Sequence, residues 1–138
     1  MTEHQQQRGR IIGIGGVFFK SNDHERLREW YTQKLGVGQK DWGEMFKWRS
    51  IPDAAGDQST EHLTTWSIFP GSSTYFDPSH APFMINYIVD DLDAFLAKAA
   101  ENGVRIDPKR DNTEYGRFAW IYDLDDNKIE LWEPPRPA

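Results

Sequence analysis

Few residues in this chain have the type and spacing to do chemistry. The acidic side chain Glu130 lies in residues 128–132, where alternation places Glu130 and Trp132 on one face of a strand. A carboxylate beside an indole can attract a cation, ligate a metal or act as a general base. Ile129 and Leu131 fall on the opposite face, where burial would hold the strand in register. An ordinary solvated carboxylate is the simpler alternative for Glu130.

The histidines do not form a metal-binding pattern. His4, His24, His62 and His80 lack HxH or HExxH spacing, and only His62 adjoins a predicted strand. Cysteine is absent, which excludes disulfides, thiolate metal sites and thiol nucleophiles. The glycine-rich residues 13–16 lack GxGxxG spacing, so we predict tight strand packing there rather than phosphate binding.

Composition and charge narrow the class of protein. The 138 residues are 38% hydrophobic and 14% aromatic, as expected for one folded domain. The formal net charge of -6 disfavours binding to nucleic acid. The start of the chain lacks the apolar stretch of a secretory signal, and no apolar run approaches the roughly 20 residues of a membrane helix. We therefore expect a cytoplasmic protein that does not contact membranes.

The first half of the chain predicts a strand, a helix and two or three further strands. Residues 11–19 form a short apolar run broken by glycines, typical of a buried strand. The helix begins after the capping residue Asp23 and ends at Gly36. Its apolar face carries Leu27, Trp30, Tyr31 and Leu35. Further strands are expected within residues 42–51 and 63–69, joined by a turn over residues 52–60.

The second half repeats this plan. Residues 83–89 predict a strand, and Asp91 caps a helix that ends at Gly103. Residues 118–122 and 128–132 predict a hairpin around an acidic turn. We therefore divide the chain into a flexible tail (residues 1–9) and a single domain (residues 10–134). Within the domain, module 1 spans about residues 10–70, a linker residues 71–82, and module 2 about residues 83–134.

The duplicated pattern resembles a known family. The helix entry from Asp23 to Val37 and the ending over residues 116–134 are similar to the vicinal oxygen chelate superfamily of glyoxalases, bleomycin-resistance proteins and extradiol dioxygenases. The resemblance implies an α+β fold of two βαβββ modules, which form an incomplete barrel around a cleft. It also implies a homodimer.

The resemblance further implies where a metal would bind. Family enzymes place it between the first and last strands of each module, and counting along this chain gives Gly16, Ser67, Met84 and Glu130. Of these only Glu130 is a strong metal ligand, and one carboxylate cannot hold a catalytic divalent ion. We therefore expect no metal and no other cofactor.

The function predicted from these observations is metal-free binding of a small organic molecule, of the bleomycin-resistance kind. The flat aromatic surface and acidic charge favour planar or cationic ligands. The expected cleft residues are Gly16, Thr65, Ser67, Met84, Asn86, Glu130 and Trp132. The alternative is a metal-dependent lyase, isomerase or dioxygenase that uses Glu130, so whether the chain is an enzyme stays open.

Overall fold

A computed structural model describes residues 9–52 and 59–135. Nine elements follow one another along these residues: β1 (Ile11–Ser21), α1 (His24–Leu35), β2 (Glu44–Arg49), β3 (Glu61–Pro70), β4 (Phe83–Val89), α2 (Leu92–Glu101), β5 (Arg105–Thr113), β6 (Gly116–Tyr122) and β7 (Lys128–Glu133). No helix among these residues is long and apolar enough to span a bilayer.

The strands form one curled, open sheet in the order β2-β3-β1-β4-β7-β6-β5. The modules meet at its centre, where β1 pairs antiparallel with β4. Within each module the first strand pairs parallel with the last, β1 with β3 and β4 with β7. Both helices pack on the same side of the sheet, and we call the opposite side the inner face. This is the predicted α+β fold.

The described part of module 1 has two strands after α1, which is the smaller of the two numbers that the sequence predicts and one fewer than the βαβββ order that the resemblance implies. Module 2 has the βαβββ order, whereas the described part of module 1 has only β2 and β3 after α1. Between α1 and β2 the chain forms a single bridge, Lys40 with Gly43.

The helices begin and end as the sequence predicts. The Asp23 carboxylate accepts a hydrogen bond from the Arg26 amide at 3.2 Å, and Gly36 ends α1 in the left-handed conformation with φ +72°. Asp91 caps α2 in the same way through the Ala94 amide at 3.1 Å. α2 ends at its C-cap Asn102, one residue before Gly103.

Strand β5 was not individually predicted. Its sequence RIDPKRDNT has no apolar alternation, and most of its residues are exposed. β5 is an edge strand, and its register with β6 shifts between Ile106 and Arg110. An edge strand with few buried side chains gives no sequence signal of this kind.

The hydrophobic core is divided by the sheet. Between the sheet and α2 lies a module 2 cluster of Val89, Leu92, Leu96, Ala119, Ile121 and Leu131. Ile129 packs against it, so the predicted core side of β7 is confirmed. α1 buries none of its residues; Trp30 and Leu35 on its predicted apolar face are 49% and 57% exposed. Module 1 therefore has the thinner helix-side core.

The inner-face core joins the modules. Phe18 of β1, Met84 of β4 and Trp120 of β6 pack with Phe76, which is fully buried. Phe76 belongs to the segment predicted as a linker. The segment that joins the modules therefore also supplies a central core side chain.

Gly9, the last residue of the predicted tail, is held by a hydrogen bond to the rest of the domain. The Gly9 amide donates to Asp90 Oδ1 at 2.8 Å, and the Arg10 amide donates to the same oxygen at 2.7 Å. The rest of the predicted tail and most of the predicted turn over residues 52–60 lie outside the described residues.

Candidate functional site

The sheet register sets which predicted residues are level with one another. Thr65, Gly16, Asn86 and Glu130 form one row across the inner strands. Ser67 and Met84 both lie level with Phe18, two residues further along β1. The row containing Glu130 thus includes Thr65 and Asn86, whereas counting along the sequence gave Ser67 and Met84.

Glu130 accepts three hydrogen bonds in the interior. It is 3% exposed, and its Oε1 accepts from Asn86 Nδ2 at 2.7 Å. Its Oε2 accepts from Trp120 Nε1 at 3.0 Å and from the Tyr75 hydroxyl. We call these four side chains the Glu130 network. A buried carboxylate is stable only when such donors replace water, so each donor contributes to keeping Glu130 inside.

Tyr75 comes from the 71–82 segment and covers Glu130. Its ring stacks on Phe69, with centroids 5.7 Å apart, and meets Trp120 edge-on. Burial, followed by the negative charge of Glu130 and the hydrogen bond to it, raises the pKa of the Tyr75 hydroxyl. The Tyr75 hydroxyl therefore stays protonated and donates a hydrogen bond to Glu130 throughout the physiological pH range.

Lys128 holds the covering segment against the sheet. Its Nζ donates to the carbonyl oxygens of Tyr75 at 3.0 Å and of Asp77 at 3.1 Å. The ammonium also lies 5.7 Å from the ring centroids of both Tyr75 and Trp120. Burial lowers the pKa of Lys128.

The four positions that the resemblance assigns to a metal do not supply the donors of a catalytic site. Gly16 has no side-chain donor, Met84 offers only a thioether, and the Ser67 hydroxyl donates to the Trp42 carbonyl at 2.7 Å. The oxygens of Glu130 face hydrogen-bond donors. Within the described ranges, no three His, Asp or Glu side chains come together as a metal site would require.

A separate opening forms where the two parallel strands of module 1 diverge. The β1–β3 ladder starts at Gly16 and Thr65, so the earlier residues of both strands lie outside it. The Thr64 hydroxyl bridges the gap: it donates to the Ile14 carbonyl at 2.5 Å and accepts from Trp48 Nε1 at 2.7 Å. β1 also has register shifts against β4 in this region. The sheet is thereby left open at one end.

This opening is a cavity of about 530 Å³, which we call the end cavity. Its volume is within the range of small-molecule sites. The walls are largely apolar or aromatic, with four carboxylates and two other polar residues: Ile12, Leu63, Ile88, Val89, Pro134, Pro135, Tyr115, Trp132, Glu61, Asp90, Glu114, Glu133, Thr60 and His62.

Trp132 is fixed in the wall of the end cavity. Its Nε1 donates to the Tyr115 carbonyl at 2.7 Å, and its ring lies parallel to that of Phe118 with centroids 6.2 Å apart. A Cβ at Gly15 would lie 2.8 Å from Ile88 Cγ1 and 2.9 Å from Trp132 Cε3. Glycine at this position therefore leaves room for the indole.

The charges around the end cavity are negative. Asp90 accepts from the Gly9 and Arg10 amides and lies 3.5 Å from the Arg10 guanidinium. Glu133 accepts from the Leu92 amide at 2.7 Å and lies 3.7 Å from Arg117, so both of these carboxylates are paired. The remaining carboxylates are Glu61, which lies 3.8 Å from an exposed Arg49, and Glu114. Glu114 makes no ion pair in the described part of the chain.

His62 adds no positive charge to the end cavity at neutral pH. Burial lowers the pKa of its imidazole, whose ring packs against Trp48 with centroids 4.6 Å apart. Its Nε2 is buried and has no hydrogen-bond partner among the described residues. The carboxylates are thus not balanced by a histidinium.

The structure brings most predicted cleft residues together, but in a closed region. Ser67, Met84, Asn86 and Glu130 are buried on the inner face, and Gly16 is buried beside Asn86. Thr65 is half-buried. Trp132 alone among the seven is in the wall of the end cavity. Glu130 and Trp132 share a strand face as predicted, yet they do not share an open site.

Sequence reasoning missed Tyr75 and most of the end cavity. The sequence did contain a signal for Tyr75. Tyr75 and Phe76 are two adjacent large aromatic residues in the otherwise polar or small residues 71–82, which suggests that they are buried. Ile12, Leu63 and Tyr115 carried no comparable signal. They meet only because β1 and β3 separate and the β5–β6 turn returns to the same end of the sheet.

Comparison with known families supports the fold. A sequence profile of the Glyoxalase/Bleomycin resistance protein/Dioxygenase superfamily matches residues 13–131. The chain belongs to this superfamily. Comparison with curated protein sequences finds no significant match.

Several solved structures have a fold similar to that of this chain over most of its length. A point variant of methylmalonyl-CoA epimerase from Streptomyces coelicolor, in complex with 2-nitronate-propionyl-CoA, has a TM-score of 0.60 at 15% identity, covering 91% of this chain and 96% of its own. The Mycobacterium tuberculosis epimerase has a TM-score of 0.53 at 18% identity, covering 91% and 90%. An NAD-dependent benzaldehyde dehydrogenase structure from Legionella pneumophila has a TM-score of 0.54 at 10% identity, covering 87% and 98%. Identities this low establish only a shared fold.

Proposed function

We propose that this superfamily member binds a planar, cationic small organic molecule in the end cavity, without a protein-bound metal. The observation that carries the proposal is the apolar cavity of about 530 Å³ with the fixed indole of Trp132 in its wall. A preformed concave surface of this kind buries most of a small ligand. The contacts between a flat ring and Trp132 would supply stacking area.

The charge of the ligand follows from the carboxylates. Glu114 and Glu61 are exposed, and no Lys or Arg is among the described residues that line the end cavity. A cation near Trp132 and these carboxylates gains both electrostatic attraction and a cation–π contact, each worth about 0.5 to 2 kcal/mol. A ligand anion would be repelled.

The metal-free part of the proposal rests on the donor set around Glu130. All four family positions inferred by counting either lack a strong donor or, like Glu130, face hydrogen-bond donors. Native mass spectrometry with added Zn²⁺, Ni²⁺, Mn²⁺ or Fe²⁺ should show no tight one-to-one binding. Such binding, if abolished in Glu130→Ala, would favour the metal-dependent enzyme instead.

Calorimetric titration with naphthylmethylammonium and its neutral analogue naphthylmethanol tests the ligand proposal. The cation should bind more tightly, and Trp132→Ala should weaken it by more than threefold, roughly 0.65 kcal/mol. Leu63→Trp, which fills the cavity, should block both probes. Tyr75→Phe is the matched control on the inner face and should leave both affinities unchanged. Failure of both probes to bind, or binding unaffected by Trp132→Ala and Leu63→Trp, would refute the proposed site.

Two further expectations belong to this proposal. A homodimer is expected for the superfamily and can be tested by light scattering of the purified chain. The cytoplasmic location expected from the sequence pattern can be tested by fractionation of cells that express the chain.

A further inference from the structure

Tyr75 is bound by the rest of the protein as a ligand would be. Its ring lies flat on Phe69, 21° from parallel, and meets the edge of Trp120 at 88°. Its hydroxyl donates to the buried Oε2 of Glu130, which also accepts from Trp120 Nε1. We call the space enclosed by Phe69, Trp120 and Glu130 the Tyr75 site. Phe69 and Trp120 contact the ring of Tyr75, and Glu130 accepts a hydrogen bond from its hydroxyl.

The backbone that carries Tyr75 is anchored independently of the Tyr75 ring. The neighbouring Phe76 is fully buried against Phe18, Met84 and Trp120. Lys128 holds the Tyr75 and Asp77 carbonyl oxygens. Tyr75 itself is 37% exposed, so its side chain borders solvent. The segment is thus held by contacts other than the Tyr75 hydroxyl and its stacking on Phe69.

We propose that the Tyr75 site is a binding site for the hydroxyaryl group of an external ligand, and that Tyr75 is an internal ligand that such a group replaces. This site is distinct from the end cavity and does not depend on the function proposed there. The phenol of the ligand lies between Phe69 and Trp120, and its hydroxyl donates to Glu130.

The chemistry of Glu130 restricts the class of ligand. When Tyr75 leaves, Oε2 keeps only the hydrogen bond from Trp120 Nε1, and the loss of one of two donors to a buried carboxylate oxygen is costly. An entering group must therefore bring a hydrogen-bond donor on a flat ring, and a phenol places that donor where the Tyr75 hydroxyl lies. A plain aromatic ring fills the space without satisfying Glu130, and a carboxylate is repelled by it.

The test removes the internal ligand. The full chain with Tyr75→Ala is titrated with p-cresol, which is the tyrosine side chain as a free molecule, and with toluene, which lacks only the hydroxyl. Binding is followed by the indole Nε1–H resonance of Trp120 and by the thermal unfolding midpoint. Tyr75→Phe is the control, because its ring still fills the site.

p-Cresol should shift the Trp120 resonance and raise the midpoint of Tyr75→Ala, with an affinity at least about tenfold above that of toluene. Tyr75→Phe should bind neither probe. The wild-type chain should bind p-cresol more weakly than Tyr75→Ala, because the tethered Tyr75 competes.

Equal binding of toluene and p-cresol, or no binding to a folded Tyr75→Ala, would overturn the proposal. If Tyr75→Ala does not fold alone, p-cresol should restore folding by mass action, and toluene should not. A chain that stays unfolded in saturating p-cresol would also overturn it. None of these outcomes bears on binding at Trp132, which the naphthyl probes test separately.

Discussion

Glu130 and Trp132 lie two residues apart on the same face of β7, yet their surroundings are opposite. Glu130 is buried under Tyr75 and accepts three hydrogen bonds from side chains of the protein. Trp132 is half-buried and borders an open cavity. The strand pattern fixes the face of a side chain, whereas the segment that crosses this face decides whether the side chain meets solvent.

The contrast arises from the segment between the modules. Residues 71–82 cross the inner face near Trp120 and deliver Phe76 and Tyr75 there. Nothing comparable covers the end at which β1 and β3 diverge within the described ranges. In this protein the surroundings of Glu130 are thus filled by the chain's own side chains.

The largest effect is expected from removing the central side chain of the covering segment. Phe76→Ala should lower the free energy of unfolding by about 3–5 kcal/mol, because a fully buried ring is replaced by a cavity. Urea denaturation measures the loss. Phe83→Ala, at a 41% exposed ring, should cost less. Equal losses in the two variants would mean that residues 71–82 are only a linker.

A smaller loss is expected at the closed carboxylate. Glu130→Ala leaves the Tyr75 hydroxyl, the Trp120 indole N–H and the Asn86 amide without their acceptor, which should cost about 3 kcal/mol. Glu114→Ala, which removes a carboxylate from the end cavity, should leave urea denaturation unchanged. If both substitutions are equally harmless, Glu130 is not held as described.

The smallest effect concerns alkaline pH. In the folded protein the pKa of Tyr75 is raised, chiefly by burial and then by the charge of Glu130. The unfolded chain therefore loses the Tyr75 proton first, near pH 10, so the stabilising contribution is complete below that pH and declines above it. Tyr122, whose pKa is raised to about 12 by burial and by its hydrogen bond to Asp107, adds a decline of the same sign.

Tyr75→Phe separates the two contributions. The stability of this variant should fall less steeply above about pH 10 than that of the wild-type chain. The decline that is still seen in the variant comes from Tyr122 and other groups. The comparison uses denaturation midpoints measured from pH 8 to the alkaline limit of folding. This range includes the reference pKa of tyrosine, which is about 10. An unchanged slope in Tyr75→Phe would contradict the buried hydroxyl.

Local patterns predicted much of the fold. Asp23 and Asp91 mark the helix starts because capping chemistry is encoded within a few residues, and the core side of β7 follows from its alternation. β5 escaped prediction because an exposed edge strand needs no apolar period. Alternation along β7 predicts that Glu130 lies on the face opposite Ile129 and Leu131. It does not predict that Glu130 is buried, because Tyr75, which covers it, lies 55 residues away in the chain.

The end cavity was beyond sequence reasoning for a related physical reason. It depends on where the β1–β3 ladder stops, which is set by the register of two distant strands and by shifts within β1. Trp132 was identified because it shares a short strand with Glu130. Leu63 and Tyr115 became its neighbours only through tertiary structure.

The most direct test of the contrast between the two regions is a ¹H–¹⁵N spectrum of the indole Nε1–H groups during titration with naphthylmethylammonium. Trp120 donates to Glu130 and Trp132 donates to the Tyr115 carbonyl, so each resonance reports on one region. The Trp132 resonance should shift in a saturable manner while that of Trp120 stays in place. A saturable shift of Trp120 with no change at Trp132 would show that the ligand enters the region that we describe as closed.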